Sequence, residues 1–155
     1  MRATRGYEVS ELDKRIIEHL QQDGRRAFTQ IAVDLGVSEA AVRARTNRLI
    51  EKGILQVVGV TDPLKLGFQQ MAMICVKCEA DSLLEVAEQI AAFPETDYVV
   101  VTAGTYDILV ECVAEDNEAL LQFLSERLRK IPGVRETETF VYLRLMKQSY
   151  QWGTR

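Results

Sequence analysis

The strongest constraint in the sequence is the order of two hydrophobic periodicities between residues 71 and 145. Runs rich in apolar and β-branched residues predict four strands, over residues 71–78, 98–102, 106–113 and 134–145. Two helical patterns lie between them, one from Leu83 to Ile90 and one from Leu120 to Ile131. Strand–helix–strand–strand–helix–strand is the ferredoxin-like βαββαβ arrangement, so we expect an antiparallel sheet with both helices on one face.

The other face of the predicted sheet is also apolar. Consecutive strand residues point to opposite faces, yet residues 99–101 and 140–143 are apolar at every position. An apolar sheet face needs a cover, and the simplest cover is a second copy of the same sheet. We therefore expect a homodimer built through the sheets.

The first part of the chain predicts three helices between residues 10 and 52. Only Gly36 and Val37 separate the second helix from Ser38, which is the expected N-cap of a basic third helix that runs to Lys52. Two helices joined by so short a glycine-containing turn are typical of a helix-turn-helix DNA-binding domain. A dimer would present two such helices to a pseudo-palindromic operator in double-stranded DNA.

The third helix is predicted to have a buried side and a side suited to DNA. At 100° per residue, the side that should pack on the first two helices carries Val42, Thr46, Leu49 and Ile50. The opposite side has small alanines, which allow close approach, beside side chains that can reach base edges or phosphates. The candidate DNA-binding residues are Ser38, Arg43, Ala44, Arg45, Asn47 and Arg48. The alternative is an ordinary amphipathic surface helix, but the short turn and the three-helix context favour DNA binding.

These motifs together resemble the Lrp/AsnC family of transcriptional regulators, over residues 12–147. No single motif is specific, but their order and spacing are. The matching residues are Asp23-Gly24-Arg25, Val37-Ser38, Val42, Arg45, Arg48-Leu49, Gly53-Ile54, Asp62-Pro63, Leu66-Gly67, Gly104-Thr105-Tyr106-Asp107, Pro132-Gly133-Val134, Thr137 and Thr139. Thr46 departs from the aliphatic residue usual in the family. The resemblance implies a dimer that assembles further into tetramers or octamers, and an amino-acid effector that shifts assembly or DNA affinity.

The resemblance also implies an effector site between dimers, near the loop of Gly104 to Asp107 that joins the second and third strands. The candidate effector-binding residues are Thr102, Gly104, Thr105, Tyr106 and Asp107. Backbone N–H groups, the Tyr106 ring and the Asp107 carboxylate would surround the ligand's ammonium and carboxylate groups. Without the resemblance, a tight turn with Asp107 exposed is the better interpretation, because short glycine-containing loops commonly connect strands.

The whole chain is therefore predicted to be an α+β protein with a winged-type helix-turn-helix followed by a ferredoxin-like domain. We place the DNA-binding domain at residues 8–56 and the effector-binding and oligomerisation domain at residues 68–147. Between them, the β-prone run of residues 54–60 and the breakers Asp62-Pro63 predict a strand and hinge over the linker, residues 57–67. Residues 148–155 form a tail whose Tyr150 and Trp152 either pack in an interface or are disordered.

Composition sets the remaining expectations. Apolar residues make up 47% and charged residues 27%, which excludes a wholly disordered chain. The net charge of −4 divides into +2 for residues 1–56 and −6 for the rest, which fits a locally basic N-terminal region. No apolar run is long enough to cross a membrane, and no signal-peptide core follows Arg2 and Arg5, so we expect a cytoplasmic protein.

No catalytic or metal site is expected, and no cofactor. Cys75 and Cys78 have the spacing of a redox or zinc motif, but residues three apart on a strand point to opposite faces. The only histidine, His19, falls in the first helix. An enzyme is disfavoured for these reasons, although a few haem-biosynthesis decarboxylases resemble the same two-domain fold. An architectural DNA-binding protein without an effector stays an alternative, as does a sensor that does not bind DNA.

Overall fold

The computed structural model describes residues 7–150 and 153–154, and it divides into two compact units. One unit comprises residues 7–60, 147–150 and 153–154 of the described chain, and the other comprises residues 61–146. The expectations for Arg2, Arg5 and Trp152 lie outside the described residues. No helix of the described chain is long and apolar enough to span a membrane.

Three helices form the first unit, and local capping explains where they begin and end. They are α1 (Glu11–Gln22), α2 (Phe28–Leu35) and α3 (Glu39–Glu51). Ser10 caps α1 by accepting a hydrogen bond from the Asp13 N–H, and the Asp13 side chain accepts from the Ser10 backbone in return. Gly36 ends α2 with a left-handed φ of 67°, and Ser38 caps α3 two residues later. The predicted helix-turn-helix is therefore present, with the expected short turn.

Apolar side chains from all three helices meet in one core. Ile16, Ile31, Val42 and Leu49 have no exposed surface, and Thr46 is only 2% exposed. The assignment of Ile50 to the buried side was wrong, because its side chain is 45% exposed. It follows the fully buried Leu49 in the last turn of α3, so its side chain points about 100° away from that of Leu49 around the helix.

The predicted strand over residues 54–60 is also wrong for the single chain. These residues form no strand, and a 3-10 turn at Pro63–Leu66 follows them. A strand requires a neighbour that satisfies its N–H and C=O groups, and the strands of the described residues all belong to one sheet in the second unit. The described first unit therefore has no wing strand.

The second unit has the expected ferredoxin-like topology. Its elements are β1 (Gln70–Cys78), α4 (Leu83–Ala91), β2 (Thr96–Val101), β3 (Ile108–Ala114), α5 (Asn117–Gln122, continued by a π-helical segment, Phe123–Arg127, and a 3-10 segment, Leu128–Lys130) and β4 (Val134–Val141). The four strands pair antiparallel in the order β2-β3-β1-β4. Alternate strand residues such as Ile74 and Val110 pack with α4 and α5 to form the core.

The last strand is shorter than the predicted 134–145. It pairs only with β1, and the Tyr142 N–H makes the last contact by donating to the Met71 carbonyl over 2.8 Å. Gln70, the first residue of β1, lies opposite Leu143, so no β1 residue remains for residues 144–145, and Leu143 is almost fully exposed. The strand thus ends where its partner ends.

Candidate DNA-binding surface and effector site

The exposed side of α3 contains most of the predicted DNA-binding residues. Ala44, Asn47 and Arg48 are exposed, and they lie about two to three turns after the capped start of the helix at Ser38. A shallow depression on this side is lined by Glu39, Ala40, Arg43, Ala44 and Asn47. Ser38 itself is engaged as the cap, since its hydroxyl accepts from the Ala41 N–H over 3.2 Å.

Arg43 and Arg45, two of the candidate DNA-binding residues, make different contacts. The Arg43 guanidinium pairs with Glu39 and lies 5.2 Å from the centre of the Phe28 ring, on the surface. Arg45 instead reaches back to α1, where its Nη1 donates to Asp13 Oδ1 over 3.0 Å and to Ser10 Oγ over 3.1 Å. Arg45 therefore anchors α3 to the start of α1, in addition to any role at a phosphate.

Asp13 is the centre of a network that the sequence pattern identified only as a cap. Its carboxylate is 1% exposed and also accepts a hydrogen bond from the Tyr7 hydroxyl over 3.0 Å. Burial alone would raise the pKa of Asp13, but the hydrogen bonds from Ser10, Arg45 and Tyr7 outweigh burial and hold it below its usual value. The ion pair with Arg45 joins residues 32 positions apart, so helical periodicity could not reveal it.

The predicted effector loop is held closed by hydrogen bonds at its base. The Thr102 N–H donates to the Asp107 carbonyl over 2.8 Å, and the Thr102 hydroxyl donates to the Tyr106 carbonyl over 2.6 Å. Asp107 is fixed to β1 through its N–H, which donates to Val76, and through Oδ2, which accepts from the Cys78 N–H over 2.8 Å. The interpretation of this loop as a tight turn is therefore partly correct, but Asp107 is half-buried rather than exposed.

A cleft of about 380 Å³ adjoins this loop, and it contains two of the five predicted residues. It is lined by Lys77, Cys78, Thr105, Asp107, Arg135 and Glu136. The cleft is within the size range of small-molecule sites. Lys77, Arg135 and Glu136 were missed because they lie on β1 and β4, and only the pairing of those strands brings them to the loop.

The other three predicted residues do not line the cleft. Thr102 holds the loop together, and Tyr106 leans across β1, where its hydroxyl donates to Glu138 and its ring lies 5.3 Å from Lys77 Nζ. The hydrogen bond to Glu138 raises the pKa of Tyr106 to about 12. Gly104 is exposed, and a Cβ added there would meet nothing within 4 Å. Its φ is not positive either, so neither backbone conformation nor packing within the chain requires a glycine at this position.

The sheet face opposite α4 and α5, which we call the outer face, carries Met73, Tyr98, Val100, Leu109 and Phe140. These side chains lie outside the core formed with the helices. Tyr98 and Phe140 are 55% and 51% exposed. Much of the outer face is therefore apolar, as the strand pattern predicted, and Glu111 and Glu138 lie on the same face.

Cys75 and Cys78 do lie on opposite faces of β1, as expected from their spacing. Cys78 belongs to the core beneath the helices, whereas Cys75 pairs with Glu138 across the outer face. Among the described residues, no group of three or more His, Cys, Asp or Glu side chains is placed to hold a metal ion.

Comparison with known proteins finds a matching family domain for each of the two units. The AsnC-type helix-turn-helix domain matches residues 9–50, and the Lrp/AsnC ligand binding domain matches residues 71–152. An HTH-type transcriptional regulator of Pyrococcus horikoshii is 34% identical over 148 residues, which cover 95% of this chain and 94% of the relative.

Two solved structures share the fold. Escherichia coli AsnC superimposes with a TM-score of 0.82 at 23% identity, covering 92% of this chain and 97% of that one. A Neisseria meningitidis transcriptional regulator in complex with L-methionine also has a TM-score of 0.82, at 21% identity, with 92% and 95% covered. The matched family consists of transcriptional regulators, which confirms the expectation that the chain is not an enzyme. This chain belongs to the Lrp/AsnC family of transcriptional regulators.

Proposed function

We propose that this regulator binds specific DNA sites and that an amino-acid effector changes its assembly or its DNA affinity. The observation that carries the DNA-binding part is the exposed side of α3. There Ala44 leaves room for a base pair, while Asn47 and Arg48 stand beside it and can read base edges or contact phosphates. Asparagine pairs with adenine, and arginine pairs with guanine or phosphate.

The amino-acid part is supported by the cleft at the 102–107 loop. This cleft combines cationic and anionic side chains, a mixture that suits a small zwitterion. The related Neisseria regulator was solved with L-methionine bound. We assign the effector loop to Thr102, Gly104, Thr105, Tyr106 and Asp107, with Thr105 and Asp107 facing the ligand and the other three shaping the loop.

We propose that two copies pair through their outer faces, and that such dimers assemble further into tetramers or octamers. Pairing would cover Phe140 and Tyr98, whose exposure is costly for a monomer. A two-fold dimer presents two α3 helices, which fits a pseudo-palindromic operator. We place this regulator in the cytoplasm, together with the DNA.

Fluorescence anisotropy tests the DNA-binding part. Labelled DNA from upstream of the protein's own gene and a scrambled duplex of equal length are titrated at one fixed salt concentration. We expect tighter binding to the natural sequence, and Asn47→Ala should reduce the difference between the two duplexes. Equal affinity for both duplexes would instead indicate an architectural protein with little sequence preference.

A control variant distinguishes base recognition by α3 from the effect of the protein's overall positive charge on DNA binding. Arg144→Gln removes an exposed cation beyond the end of β4, outside the DNA-binding unit. We expect this control to leave the preference for the natural duplex unchanged. If Arg144→Gln and Asn47→Ala affected it equally, α3 would not be the recognition element.

A further inference from the structure

The charges around the cleft do not all cancel within the chain. Lys77 Nζ lies 3.0 Å from Glu136 Oε2, so these two charges neutralise each other. Arg135 lines the same cleft, and it has no ion-pair or hydrogen-bond partner in residues 7–150 and 153–154. Asp107 accepts the Cys78 N–H through Oδ2, and its Oδ1 accepts from no donor in the same residues. One cation and one carboxylate oxygen are therefore left for a ligand.

This pair of groups sets the chemistry of the ligand. A carboxylate fits the planar fork of an arginine, which can donate two parallel hydrogen bonds to it. An ammonium group fits the remaining oxygen of Asp107. A ligand with only one of these charges would leave the other protein group without a partner, which lowers affinity.

We propose that Arg135 binds the α-carboxylate of a zwitterionic amino acid in this cleft while Asp107 Oδ1 accepts a hydrogen bond from its α-ammonium group. The proposal rests on the amino-acid effector proposed above, and it adds a residue of β4 and a requirement for both ligand charges. The cleft lining includes no large apolar side chain. The cleft therefore recognises the part common to all amino acids, and preference for one side chain arises from groups outside it.

Isothermal titration calorimetry on the full chain tests this assignment. The wild type is first titrated with each of the twenty amino acids, and every one that binds is then compared with its α-amide and with its decarboxylated amine. We expect Arg135→Gln to lower the affinity for the free amino acid roughly 10- to 100-fold. The α-amide lacks the carboxylate, so wild type and Arg135→Gln should bind it equally weakly.

Two further variants complete the design. Arg135→Lys keeps the charge without the fork, so its affinity should lie between those of the wild type and Arg135→Gln. Arg144→Gln, which removes an exposed arginine outside the cleft, should bind like the wild type. Equal melting temperatures of all variants would show that Arg135 has no role in folding.

The outcomes distinguish this inference from the function on which it rests. If the wild type binds an amino acid and Arg135→Gln binds it with unchanged affinity, the role of Arg135 is refuted and the effector function stands. An α-amide that binds the wild type as tightly as the free acid would refute the carboxylate contact in the same way. If the wild type binds none of the twenty amino acids, the effector function fails and this inference fails with it.

Discussion

Thr46 provides a quantitative test of the packing in the DNA-binding unit. Its side chain is 2% exposed on the buried side of α3, and its hydroxyl has no hydrogen-bond partner among the described residues. In the unfolded chain this hydroxyl is hydrated, so folding removes its water without replacing it. A buried polar group left in this state costs about 1–3 kcal/mol.

Thr46→Val replaces that hydroxyl with a methyl group of nearly the same shape. Valine and threonine have similar helix propensities, so the change acts mainly through burial. We expect the variant to raise the free energy of unfolding of this unit by about 1–2 kcal/mol, after allowing for partial hydration of the site in the native state. Because the methyl group fills nearly the same volume as the hydroxyl, no new cavity forms.

Native-state hydrogen exchange measures this effect in the full chain. Backbone amides of residues 39–51 should exchange about 5- to 30-fold more slowly in Thr46→Val than in the wild type, at a pH where both are folded. Thr29→Val is the matched control, because Thr29 is an exposed residue of α2. We expect it to change the free energy of unfolding by no more than about 0.5 kcal/mol. If Thr46→Val leaves exchange unchanged or makes it faster, the hydroxyl is satisfied and the argument from burial is wrong.

Four other predictions test the Asp13 network, the DNA contact of Arg48, the effector contact of Asp107 and pairing through the outer face. Because the pKa of Asp13 is lowered in the folded state, its stabilising contribution is complete above its unfolded pKa of about 3.9 and disappears as pH falls through the lower folded pKa. Acid titrations followed by circular dichroism should therefore show a smaller loss of stability in Asp13→Asn than in the wild type, and parallel curves would contradict the network. Arg48→Ala should weaken binding to operator and scrambled DNA alike if Arg48 contacts phosphate, with a salt slope shallower by about 1, whereas a loss restricted to the operator would indicate a base contact. Asp107→Asn keeps an oxygen for the Cys78 N–H but loses the charge, so calorimetry should show weaker amino-acid binding with unchanged thermal stability, and unaltered affinity would exclude Asp107 from the site. Phe140→Glu places a charge on the outer face and should yield monomers in light scattering, whereas Leu121→Glu, at an exposed position of α5, should not; equal masses for both would argue against pairing through this face.

Hydrophobic periodicity was sufficient to predict the elements and most of their buried faces. The two-residue spacing between α2 and α3, the caps at Ser10 and Ser38 and the order of strands and helices are all local patterns, and each is present in the structure. The outer face followed from the same reasoning, because alternation along a strand determines which side chains share a face.

Features that depend on distant partners could not be predicted in this way. Whether residues 54–60 form a strand, and where β4 ends, depends on the neighbouring strand available for pairing. The ion pair of Arg45 with Asp13 and the position of Arg135 in the cleft depend on how α3 meets α1 and how β4 lies beside β1. Sequence patterns describe one element at a time, and these contacts each join two.

The effect of amino acids on operator binding tests most directly whether this regulator is controlled by an amino-acid effector. The affinity of the full chain for DNA from upstream of its own gene is measured at one salt concentration, alone and with each of the twenty amino acids, beside a scrambled duplex. We predict that at least one amino acid changes the affinity for the natural sequence and not for the control, and that Asp107→Asn removes this response. Equal affinity for both duplexes, unaffected by any amino acid, would contradict it.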